Sequence, residues 1–293
     1  MCHETLDQMI RAAAARVAQA DAIVVAAGVG MGVDSGLPDF RGPAGFWRAY
    51  PAYEALGLRF EEMASPDHFA SDPALGWGFY GHRTNLYRAT SPHEGFAILQ
   101  RWVAAKPLGG FVFTSNVDDH FGRAGFDRDR IVEVHGSVEW RQCLDHCGPA
   151  IFPSSREPVA IDPTTFRAGP PLPSCPACGG LARPNILMFG DGGWTATRTE
   201  AQFGRFADWL EAVLDRRVVV VELGAGRAIP TVRRMSEQLV SELGASLIRI
   251  NVREADVPPG QLGIAAPALA TLRAIELHLT GQPASSGDRL DQG

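Results

Sequence analysis

The sequence predicts an α/β fold, a doubly wound, mostly parallel, Rossmann-like sheet carrying a smaller inserted domain. Three observations carry that expectation. Short continuous apolar runs recur at residues 22–27 (AIVVAA), 110–114 (GFVFT), 130–134 (RIVEV), 217–223 (RVVVVEL) and 245–250 (ASLIRI). Helical periodicities separate several of them, and alternation of that kind belongs to parallel sheets covered by helices. The first run also passes directly into a glycine-rich turn at Gly28, where a βα unit can bring backbone N–H groups to a phosphate.

In chain order, residues 5–20 read as a helix, because Leu6, Met9, Ile10, Ala13 and Val17 fall three to four apart among alanines. Residues 22–27 lack polar alternation, which marks a strand buried on both faces. Residues 42–90 are rich in aromatics and read as helical with Gly and Pro breaks. Further helices are expected at 92–104, 200–214 and 231–243. Residues 139–190 hold four paired cysteines and a stretch, PTTFRAGPPLPSC, too rich in proline for regular helix or sheet. The expected organisation is a Rossmann-like domain from residues 1–42, 91–138 and 191–281. A small domain is expected from 43–90 (helical module) and 139–190 (four-cysteine module), with a polar, disordered tail at 282–293.

Composition narrows the function. Of 293 residues, 45% are hydrophobic and 20% charged, which excludes disordered and fibrous classes. The net charge of −6 argues against a general nucleic-acid binder. No stretch approaches the roughly 18 apolar residues of a membrane span, and the N-terminal segment carries acids and arginines before its first apolar run, unlike a signal peptide. A cytoplasmic enzyme is the expectation, and in a reducing compartment paired cysteines hold metal more often than disulfides. The glycines at 28, 30 and 32 do not by themselves separate a tight turn from a nucleotide site.

The tract Gly28-x-Gly30-x4-Ser35-Gly36-Leu37-Pro38-Asp39-Phe40-Arg41-Gly42 resembles the NAD-binding signature of the sirtuins, the NAD-dependent protein deacylases. Other segments follow in the family's order. Thr114-Ser115-Asn116-Val117-Asp118 resembles its Thr-Gln-Asn-Ile-Asp segment, and Val134-His135-Gly136 the segment bearing the catalytic histidine. Residues 183–190 (RPNILMFG) are similar to the substrate strand, and Gly224-Ala225-Gly226 and Ile250-Asn251 to the late NAD-binding motifs. The resemblance spans roughly residues 5–280 and is that of a divergent, bacterial-type member.

The resemblance implies NAD-dependent removal of acyl groups from protein lysines, releasing nicotinamide and O-acyl-ADP-ribose. In that chemistry the acyl oxygen attacks the nicotinamide ribose, and His135 is the general base on the ribose hydroxyl that attacks next. Asn116 and Asp118 would form the nicotinamide pocket and share the catalytic work. Gly28, Gly30, Asp39, Phe40, Arg41, Ser115, Gly224, Ala225, Gly226 and Asn251 would complete the NAD site. Phe189, Gly190 and Asp191 would border the peptide groove, where the substrate adds as a strand. Cys143/Cys147 and Cys175/Cys178 form two chelating pairs, as expected for a closed, structural zinc site; His146 lies inside the first pair.

Tyr80 and Arg83 fall three apart on one helix face. In sirtuins active on acidic acyl groups, a Tyr-x-x-Arg in this region binds the acyl carboxylate, so succinyl or malonyl groups are candidate substrates beside acetyl. The departures are Val29, Gly32, Ser115, Gly224–Arg227, Asp119-His120-Phe121 and Asp191, where the family commonly has other residues. They leave room for a mono-ADP-ribosyltransferase or an NAD glycohydrolase, and for a non-enzymatic NAD-sensing protein. The expected partners are NAD and an acyl-lysine protein or peptide, with no nucleic acid, no membrane and a monomeric state.

Overall fold

The computed structural model describes residues 3–38, 46, 48, 50–51, 54 and 57–281. Among them, β1 (Ala22–Ala27), β2 (Gly110–Thr114), β3 (Ile131–Glu133), β7 (Val218–Leu223), β8 (Ser246–Ile250) and β9 (Leu262–Ile264) form one sheet. Its order is β3-β2-β1-β7-β8-β9, and every pairing is parallel. A second, antiparallel sheet has the order β5-β4-β6, from β4 (Gly136–Cys143), β5 (Ile151–Pro153) and β6 (Ala182–Ile186). The longer helices are α1 (His3–Gln19), α2 (Pro73–Ala89), α3 (Glu94–Ala104), α4 (Thr197–Ala212), α5 (Thr231–Leu243) and α6 (Ala268–Thr280).

The central strand explains the double winding. All six residues of β1 are buried, but successive side chains face opposite ways. Ile23, Val25 and Ala27 join a core with Val17 of α1, Phe96 and Leu99 of α3, and Leu272 and Ile275 of α6. Ala22, Val24 and Ala26 join the opposite core with Phe206 and Trp209 of α4 and Val232 and Leu239 of α5. A strand with two apolar faces requires helices on both, which is the parallel α/β layering the sequence implies. The strand order reverses between β2-β1 and β7-β8, and ligands bind open α/β sheets at the carboxyl ends flanking such a reversal.

A third core fills the smaller part of the molecule. Phe69, Trp77, Phe79 and Tyr80 pack there with Ile186 and Met188. Helix α2 enters this core through a defined start: the Asp72 side chain accepts from Leu75 N at 3.3 Å and Pro73 occupies the first turn. Its Tyr80, Arg83 and Tyr87 then share one face, being three and seven residues apart. Residues 163–175 contain no strand or helix, as their prolines require. Among the described residues, no helix is long and apolar enough to cross a membrane.

Candidate active site

A cleft of about 740 Å³ opens at the carboxyl ends of β1, β2 and β7 and extends beneath α2. Two glycine turns build its floor. Gly28 N donates to Leu223 O at 2.9 Å and Gly30 N to Gly224 O at 3.1 Å, so the turn after β1 rests on the turn after β7. A Cβ on Gly30 would lie 2.7 Å from Gly224 Cα, and Gly224 has φ +61°. Glycine is needed at this crossing because two backbones touch. Gly28, Ala225 and Gly226 line the cleft, whereas Gly30 and Gly224 lie behind its wall.

The loop after β2 brings in Ser115, Asn116 and Asp118. Thr114 Oγ1 donates to Ala27 O at 3.0 Å and accepts from Asn116 N at 3.0 Å, stapling the loop to β1. Asn116 Nδ2 donates to Gly28 O at 3.1 Å, which fixes the amide and leaves its Oδ1 without a partner among the described residues. Asp118 is buried and its Oδ1 accepts from His120 N at 2.9 Å. Burial pushes the Asp118 carboxyl up from its ordinary value, while His120 and Arg83 pull it back.

His135 stands where β3 gives way to β4, half-buried and lining the same cleft. Gly136 after it has φ +77°, and a Cβ there would meet Asn185 O at 2.0 Å. Only glycine lets the chain turn at this point and pair β4 with β6. The pairing holds His135 from behind, since Leu187 N donates to His135 O at 3.0 Å. Burial holds the His135 imidazole below its ordinary value, with a hydrogen bond to the Ser115 backbone opposing. A neutral imidazole at the end of a cleft is equipped to accept a proton.

The opposite wall is aromatic. Tyr80 and Arg83 are buried and line the cleft, as do Tyr87 and Phe60. Arg83 Nε and Nη2 donate to the Tyr87 hydroxyl at 2.8 and 2.6 Å. The guanidinium carbon lies 5.2 to 5.8 Å from the ring centres of Phe60, Phe79, Tyr80 and Tyr87. Sequence reasoning missed Tyr87, although its place four residues after Arg83 on the same helix was a usable signal. The Tyr80 hydroxyl has no hydrogen-bond partner among the described residues.

Other expected residues are placed differently. Phe189 lines the cleft and is 41% exposed, but Gly190 and Asp191 do not line it. The Asp191 carboxylate is fully buried and forms a two-point ion pair with Arg183, at 3.1 Å to Nη1 and closer to Nη2. It also accepts from Gly193 N. Asp191 therefore ties the turn after the groove and does not face it. Asn251 is likewise buried and off the cleft, its Nδ2 donating to Ala225 O at 2.9 Å and its Oδ1 accepting from Arg253 N and Glu254 N. It braces the floor, where Arg227, one of the departures from the family pattern, adds lining together with Arg253 and Glu254, which sequence reading did not single out. Asp39, Phe40 and Arg41 lie outside the described residues.

The four paired cysteines converge as a separate cluster. Their Sγ atoms lie within 4.8 Å of one another, with Cys143–Cys178 and Cys147–Cys175 each at 3.7 Å. A tetrahedral zinc with Zn–S bonds of about 2.3 Å has sulfur–sulfur edges of about 3.8 Å. Four thiolates at that spacing fit a metal ion and leave no ligand position open. His146 is not part of the cluster.

A model of the Sir2 family matches residues 28–206. The chain is 33% identical over 236 residues to NAD-dependent protein deacylase 2 of Pyrobaculum aerophilum, covering 80% of this chain and 82% of that protein. It is 30% identical over 256 residues to the NAD-dependent protein deacylase of Thermococcus kodakarensis, covering 86% and 88%. Among solved structures it resembles a Sir2 homologue in complex with NAD, with a TM-score of 0.63, 23% identity, and coverage of 96% of this chain and 95% of that one.

Proposed function

The chain belongs to the Sir2 family of NAD-dependent protein deacylases, and from that premise we propose that it acts on acidic acyl-lysines, succinyl or malonyl, in preference to acetyl-lysine. The reaction itself is NAD-dependent protein lysine deacylation, with NAD as co-substrate. The observation that carries the acyl preference is the buried Arg83 beside Tyr80 on the cleft wall. A guanidinium gives a carboxylate paired, charge-assisted hydrogen bonds. Tyr87 holds the Nε edge of Arg83, and the unpartnered Tyr80 hydroxyl adds a donor alongside.

The remaining roles follow from position. When bound, NAD supplies the electrophilic ribose carbon that receives the acyl oxygen. Asn116 and Asp118 hold the nicotinamide end, Asp118 accepting the carboxamide N–H. The dinucleotide lies on the cleft-facing residues of the two turns, Gly28, Ala225 and Gly226, with Ser115 beside the ribose. His135 takes the proton of the ribose hydroxyl, a task its lowered basicity suits at neutral pH. The protein substrate enters along the segment that continues β6, an edge strand, where Leu187 and Phe189 are exposed. The four cysteines hold a structural zinc, away from the chemistry.

Acetyl-, malonyl- and succinyl-lysine versions of one peptide, compared by kcat/KM, test the preference. The wild type is expected to favour the acidic groups. Arg83→Met is expected to lower their kcat/KM on the order of a hundredfold, the scale of losing a buried charge-assisted pair, while acetyl turnover changes little. Equal rates on all three peptides, or an acidic preference that survives Arg83→Met, would reject it.

A further inference from the structure

Asp119 is the left-handed residue of the β2 loop, with φ 60° and ψ 17°. Such a backbone is uncommon for any residue but glycine, although Asp and Asn tolerate it best. It separates Asp118, whose carboxylate lines the cleft, from His120, whose N–H that carboxylate accepts. The Asp119 side chain turns away from the cleft and is only 7% exposed. Arg128 meets it with two bonds, Nη1 to Oδ1 at 2.7 Å and Nη2 to Oδ2 at 2.8 Å. Arg128 itself does not line the cleft. It begins the 3-10 turn Arg128–Arg130, which runs directly into β3 and so toward His135.

We propose that the Arg128–Asp119 ion pair is a positioning device for the nicotinamide pocket, holding the strained turn that presents Asp118 and so setting how tightly the carboxamide is gripped. The inference rests on the assignment of Asp118 to the carboxamide given above. Two physical effects act together. A bidentate guanidinium–carboxylate bond of this geometry opposes relaxation of Asp119 out of the left-handed region. It also neutralises a negative charge one residue from Asp118, a charge that otherwise works against ionised Asp118. A fully exposed ion pair would do little; here the guanidinium is 58% exposed, but the carboxylate it grips at both oxygens is buried.

Glycine at 119 needs neither service, because it adopts the turn without strain and carries no charge. The test is therefore a double-mutant cycle read by nicotinamide inhibition and by KM for the acyl peptide. Arg128→Ala is expected to weaken nicotinamide inhibition on the order of tenfold with peptide KM unchanged. Adding Asp119→Gly to it is expected to restore inhibition to within about twofold of Asp119→Gly alone. A double variant as weak as Arg128→Ala, or a peptide KM that moves in step, would overturn the proposal. If Arg128→Ala is not recovered folded, Arg128→Lys, which keeps charge but loses the fork, is expected to show about a threefold loss, and no loss would count against the pair. Asp118→Ala separates the two assignments. Unchanged nicotinamide inhibition there removes the carboxamide reading and this inference together; a loss there with Arg128→Ala silent removes only the ion pair's role.

Discussion

Replacing His135 with alanine is expected to lower kcat/KM for an acyl-lysine peptide by about 10²- to 10⁴-fold, the range of a lost general base. The fold should persist, because His135 is held through its backbone, its carbonyl accepting from Leu187 N, although the ring's bond to the Ser115 backbone is lost. The pH profile gives a second reading of the same residue. Burial holds the imidazole below its ordinary 6.5, so the basic form prevails at neutral pH. Activity should then fall only as pH drops through a value below 6.5, and the alanine variant should lose that acid limb. Steady-state kinetics from acid to neutral pH check both; an acid limb unchanged in the variant would assign it to another group, with Asp118 the next candidate.

Loss of the proposed zinc is expected to be the second large effect. Structural zinc sites contribute on the order of 10 kcal/mol or more of binding free energy to the folded state. The cluster lies at the far end of β4 and ahead of β6, the two strands that support His135 and Leu187. Cys175→Ser is therefore expected to yield a chain without zinc, with a lowered Tm and with deacylation lost. Wild-type protein should carry one zinc per chain by elemental analysis, and Cys2→Ser should keep it. A Cys175→Ser variant with full activity and wild-type Tm would show that the four thiols do not support the fold through a metal.

Much of the fold could be read from the chain because the parallel strands are buried on both faces. Runs such as AIVVAA and VVVVEL have no other stable destination, and their observed limits differ from the expected ones by at most a residue. β9 escaped notice: it has three residues, Leu262–Ile264, with a glycine at its centre, and only pairing with β8 makes it a strand. The small sheet was equally hidden. β4 buries Ser137, Arg141 and Gln142, and a strand that buries polar groups shows no apolar alternation. Of the three, Gln142 finds its partners far away in sequence. Gln142 Oε1, for instance, accepts from Asn185 Nδ2 and Thr195 N.

The site divides along the same line. Asn116, Asp118 and His135 all line the cleft, and the sequence points to them because each sits in a contiguous motif at a strand end. Tyr87 and Arg128 were not legible, because their side chains meet Arg83 and Asp119 only after folding. Asp191 and Asn251 show the converse. Both were expected to face a ligand, and both instead direct their polar atoms to neighbours that hold the walls. A motif gives the residue its position in the fold, while the surrounding packing decides which way its polar atoms point.

In the proposed reaction the acyl group leaves lysine for ADP-ribose. Incubating the protein with NAD and an acyl-lysine peptide, and following all products by mass spectrometry, tests it most directly. The prediction is free-lysine peptide, nicotinamide and O-acyl-ADP-ribose in equal amounts, with none formed without NAD. Nicotinamide released with free ADP-ribose or with ADP-ribosylated protein, while the peptide keeps its acyl group, would contradict it.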